Sequence, residues 1–122
     1  MELAMLTKLF GRVTRKIRTY IFSSAFGSYG GGEISRGFQS NASSRIYCGD
    51  NVFLNEYIWI SFGDKGELVI EDDVYIGRFC TMSISGRVTI KKNALISDRV
   101  FIGDCNHGYK DLSLPIIEQE VI

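Results

Sequence analysis

Proline is almost missing from this sequence, histidine occurs once, and there is no excess of charge of either sign. Each scarcity excludes something. A single histidine, His107, cannot supply a zinc site that needs three. Three cysteines (Cys48, Cys80 and Cys105) are an odd number without a CxxC pair. They suggest neither a disulfide framework nor a cysteine-based metal site, so no metal is expected. Free thiols suit a reducing cytoplasm. Fourteen basic residues balance fourteen acidic ones, which gives no reason to expect a nucleic-acid partner. No apolar run reaches the roughly 18 residues of a membrane-spanning helix. The N-terminal stretch does not read as a secretory signal either, because Lys8, Arg12, Arg15, Lys16 and Arg18 interrupt it.

What is present is 13 glycines spread along 122 residues with only Pro115 beside them. That distribution suits many tight corners, each needing positive φ or a missing Cβ. The length allows one domain with one core. Over residues 1–22 the spacing predicts an amphipathic helix, with Leu3, Leu6, Phe10, Val13, Ile17 and Tyr20 on one face. The five basic residues fall mostly on the other side. Such a helix caps the end or side of the main domain, lies on an anionic membrane surface, here the inner face, or does both. Residues 23–45, rich in Gly and Ser, read as a linker or an irregular first coil starting near Ile34.

From residue 46 a repeat takes over. Cys48, Leu54 and Ile60, then Ile70, Ile76 and Met82, then Ile90, Ile96 and Ile102 are all apolar and six apart within each set. Four residues after each comes a second position: Val52, Ile58, Asp64; Val74, Cys80, Gly86; Ala94, Val100, Asn106. The non-apolar exceptions all fall in the last hexad of a set. Gly63-Asp64-Lys65-Gly66 and Ser85-Gly86 mark the corners between sets. Ile46-Tyr47-Cys48, Leu68-Val69-Ile70 and Val88-Thr89-Ile90 lead into strands.

A helix would need a period near 3.6 and a plain strand a period of 2. A period of six, with a second inward residue at plus four, fits a triangular prism of short strands whose coils stack through parallel hydrogen bonds about 4.8 Å apart. A β-sandwich is the competing fold, but its strands recur every 8–12 residues. The expectation is an all-β fold of about three coils over 46–107, with an N-terminal α-helix and an excursion loop over 108–122.

Cys48-Gly-Asp-Asn-Val, Ile76-Gly-Arg-Phe-Cys and Ile102-Gly-Asp resemble the hexapeptide repeat of the left-handed parallel β-helix acyltransferases. The run from about 68 to 119, ending Ile102-Gly-Asp-Cys-Asn-His-Gly-Tyr-Lys-Asp-Leu and Pro115-Ile-Ile-Glu-Gln119, is similar to bacterial O-acetyltransferases acting on capsule, lipopolysaccharide or exopolysaccharide sugars. The resemblance implies a left-handed helix of coils, a homotrimer with sites between subunits, acetyl-CoA as co-substrate and a sugar or polysaccharide precursor as acceptor. It also implies a catalytic base where the chain leaves a coil, and His107 matches that position, seventeen residues after Ile90. A lone histidine argues against the zinc-dependent carbonic anhydrases that share the fold.

The chemistry needs such a group. A sugar hydroxyl is a poor nucleophile at neutral pH, and a neutral imidazole in reach can take its proton as it attacks the thioester. Backbone N–H groups then stabilise the oxyanion. Asp104, Asn106 and Asp111 are the neighbours expected to orient the ring or touch substrate. The plain alternative for His107 is a polar surface residue at a loop start. Two departures from the family pattern matter. Some relatives carry Asn at the eighth position of the coil before the catalytic His; here Gly77 stands there and Asn55 one coil earlier, so Asn55 receives no catalytic role. Further, Glu118 to Ile122 reads as a chain cut in mid-loop, before the coils expected to bind most of CoA. The competing functions are therefore a non-catalytic β-helical scaffold and an inactive truncated acyltransferase.

Overall fold

In the computed structural model, which describes residues 2–122, the hexads stack as columns. Met1, included in the expected helix, lies outside the described residues. Cys48 pairs in register with Ile70, and Ile70 with Ile90. Leu54 pairs with Ile76, and Ile76 with Ile96. Ile60 pairs with Met82, and Met82 with Ile102. All nine positions of the sequence repeat thus line three columns of one prism.

The chain makes four coils rather than three. The first is β1 (Ser28–Tyr29), β2 (Gly32–Ile34) and β3 (Gln39–Ser40). The second is β4 (Ile46–Cys48), β5 (Val52–Leu54) and β6 (Trp59–Phe62). The third is β7 (Glu67–Ile70), β8 (Tyr75–Ile76) and β9 (Thr81–Ile84). The fourth is β10 (Arg87–Ile90), β11 (Leu95–Ile96) and β12 (Phe101–Gly103). They assemble into three four-stranded parallel sheets, β1-β4-β7-β10, β2-β5-β8-β11 and β3-β6-β9-β12. Residues 28–40, within the stretch read as linker or irregular coil, supply the additional coil in register, with Ile34 on Leu54.

The core is the inside of the prism. Ile34, Ile46, Leu54, Ile58, Ile60, Leu68, Ile76 and Met82 are fully buried, each stabilising the fold by roughly 1.5–3 kcal/mol. The plus-four residues Val52, Ile58, Val74 and Cys80 are also inside. At the third corner Phe62 and Ile84 turn inward instead, which explains why Asp64 and Gly86 break the pattern. An aromatic cluster closes the first coil: Phe26 packs on Phe38 at 5.3 Å and Phe22 on Phe38 at 5.6 Å between ring centroids. At the fourth coil Ala94, Ile96, Val100 and Ile102 are only partly buried.

The corners repeat as strictly as the columns. Asn51, Asp73 and Asn93 hold positive φ of 55°, 57° and 65°, a conformation that Asn and Asp tolerate better than most residues. Asn51 Nδ2 donates to Asp73 Oδ1 at 2.9 Å, tying two coils together there. The next corner uses Tyr57, Phe79 and Arg99 at 58°, 58° and 60°. In the first coil Gly37, φ 80°, takes this place; a Cβ there would run into the Tyr57 ring.

α1 (Leu3–Ser23) lies against β2. Thr19 Oγ1 accepts the Ile34 N–H at 3.0 Å, and Arg15 pairs with Glu33 at 3.3 Å. No residue of α1 is buried. Among the described residues no helix is long and apolar enough to cross a membrane.

Candidate functional site

β12 brings the chain to the third corner of the fourth coil, where local hydrogen bonds set its onward path. Both carboxylate oxygens of Asp104 turn back to the coil before, accepting the N–H groups of Ser85 at 2.7 Å and Gly86 at 2.8 Å. Cys105 Sγ lies 3.6 Å from Ser83 Oγ. Asn106 then pairs through its backbone with Ile122, whose N–H donates to the Asn106 carbonyl at 2.7 Å. His107 faces Val121 across an antiparallel bridge, and the Gly108 N–H donates to the Glu120 carbonyl at 2.8 Å. The excursion expected over 108–122 is therefore a loop closed at its base, with His107 on the closing rung.

Inside the loop Gln119 acts as a strut. Its Nε2 donates to the carbonyls of Asp111 at 2.8 Å and Leu114 at 3.1 Å, and its Oε1 accepts the Asp111 N–H at 3.2 Å. The Asp111 carboxylate accepts the Ser113 hydroxyl at 2.6 Å and the Ser113 N–H at 2.9 Å. These bonds, the hydroxyl first, hold its carboxyl below the usual range. A cleft of about 380 Å³ opens here, walled by Gly108, Tyr109, Lys110, Leu114, Gln119 and Ile122 among others. Two larger clefts, about 480 and 800 Å³, flank α1 instead.

The structure brings Asn106 and His107 together at the loop base but engages both candidate carboxylates elsewhere. Asp104 holds the Ser85-Gly86 corner, and Asp111 caps its own turn. The His107 side chain is exposed and makes no hydrogen bond among the described residues. Asn55 donates to the Tyr75 hydroxyl at 2.8 Å and accepts the Glu56 N–H, a structural engagement. Sequence reading gives Gln119 no role; the only hint is an amide set just after the apolar pair Ile116-Ile117. Among the described residues no group of three His, Cys, Asp or Glu side chains could hold a metal ion.

Chemically, an exposed imidazole on a backbone fixed by flanking bridges can exchange protons with a bound hydroxyl. Comparison of the chain with protein-family models, with curated proteins and with solved structures finds no match.

Proposed function

We propose that the chain serves acyl transfer from acetyl-CoA to a sugar hydroxyl of a surface polysaccharide or its precursor, with His107 as general base. One observation carries the reading: the only histidine stands where the hexad-built fourth coil gives way to a closed loop beside a cleft. His107 takes the hydroxyl proton as the oxygen bonds to the thioester carbon, and returns it to the sulfur as the C–S bond breaks. The cleft suits part of the donor. Leu114 and Ile122 offer apolar wall, and Lys110 a cation. At about 380 Å³ it is too small for all of CoA, so the nucleotide portion lies against a neighbouring subunit of a homotrimer in this reading.

Calorimetric titration with acetyl-CoA, followed by thiol release in the presence of sugar acceptors, tests it. Binding is expected in the native chain, and His107→Ala should keep the binding while losing about 10²-fold or more in transfer. Near-normal turnover in that variant removes His107 from the mechanism. The unpartnered imidazole and the two diverted carboxylates favour a second reading, a non-catalytic scaffold. Absence of acetyl-CoA binding by the folded chain decides for it.

A further inference from the structure

An amphipathic helix ordinarily docks by its apolar face. α1 does the reverse. The side chains it turns toward the β-helix include Thr19, bonded to Ile34, Arg15, paired with Glu33, and Phe22, packed on Phe38. Leu3, Phe10, Ile17 and Tyr20, which share the opposite face, are 79%, 71%, 54% and 75% exposed. Leu6, Leu9 and Val13 complete an open apolar stripe along the whole helix.

The charge accompanying that stripe is of one sign. Leu3–Ser23 holds five basic residues and no acidic one, which leaves nine basic against fourteen acidic in the rest of the chain. The molecule is polarised, with a cationic helix on an anionic body. Arg12, Arg15 and Lys16 also line the cleft of about 480 Å³ between α1 and β2.

We propose that α1 seats the protein flat on an anionic lipid surface, with the apolar stripe in the acyl region and the flanking cations among the phosphates. Five cations interrupt its apolar residues, so the helix would lie along the interface rather than through it. Lipid satisfies stripe and cations together. A second copy meeting the stripe with its own would bring two sets of Lys8, Arg12 and Lys16 close together. The negative body turns away from the same surface and so orients the docking. The inference is independent of the acyl-transfer reading.

Co-sedimentation of the full chain with phosphatidylglycerol-rich and with pure phosphatidylcholine vesicles tests this. Binding to the anionic vesicles should exceed binding to the neutral ones by about tenfold and weaken as salt rises. Phe10→Glu with Ile17→Glu alters exposed positions, so the circular dichroism of the β-helix should persist while binding falls by about tenfold or more. Lack of binding to anionic vesicles, or equal binding by the variant, overturns the proposal. So does sedimentation velocity showing an oligomer that the double variant dissociates, with no vesicle binding by the parent: the stripe is then a contact between copies.

Discussion

Tyr57 and Phe79 stack one coil apart with ring centroids 5.4 Å apart and planes 5° from parallel, although both backbones sit at φ 58°. Arg36 lies over the Tyr57 ring at 5.7 Å and Arg99 over Phe79 at 4.9 Å, so the stacked pair is covered by an arginine at each end. Positive φ costs a residue with a Cβ roughly 1–2 kcal/mol, and the stack returns about 0.5–1.5 kcal/mol. Phe79→Ala should therefore lower stability by about 0.5–1.5 kcal/mol, since it keeps the backbone cost and loses the stack. Phe79→Gly should be milder by about 1 kcal/mol, despite removing as much side chain. Urea unfolding of the pair measures the difference; an alanine variant as stable as the glycine one would show that the backbone at 79 is not strained.

Asp104 supports a corner eighteen and nineteen residues behind it, at Gly86 and Ser85. Asp104→Ala should cost about 1–2 kcal/mol through those two charge-assisted bonds. Transfer by the folded variant should be unchanged under the proposed mechanism. A fall in turnover at unchanged stability would instead make Asp104 a partner of His107.

Both corners mark the boundary of what is legible in the sequence. The inward columns are legible because a prism needs an aliphatic residue at the same place on every side, and Ile70, Ile76 and Met82 repeat it without exception. The first coil is hidden because Tyr29 stands in the column above Cys48 and Ser40 in the one above Ile60; phenylalanines close that end in place of the aliphatic hexads. Proximity along the chain puts Asp104 beside His107. In a β-helix, however, the spatial neighbour is a coil away, about twenty residues off, and the carboxylate turns there. Tyr57, Phe79 and Arg99 give no sign of a left-handed corner, for which Gly or Asn is the usual signature.

Burial pushes the Cys48 thiol up to about 12 from the usual 9.0, and the column position explains it: Cys48 is stacked between Tyr29 and Ile70 and only 5% exposed. The unfolded chain releases this proton near the usual value, whereas the folded chain keeps it to about 12. The stabilising contribution is thus complete below about pH 9 and is lost as pH rises from there toward 12. Tyr29 shifts in the same direction, first through its own burial and then through repulsion from Cys48 and Glu33, so it adds to the decline above pH 10. Cys48→Ala should flatten the fall that begins near pH 9, leaving one that starts about a unit higher. Comparing slopes rather than absolute stabilities separates this from the volume lost. At pH 8 a thiol reagent should label half-exposed Cys105 long before Cys48 or Cys80, both buried. An unchanged alkaline slope in the variant, or labelling of Cys48 at the rate of Cys105, would mean that the second coil opens to solvent and that its column is not the rigid core of the prism.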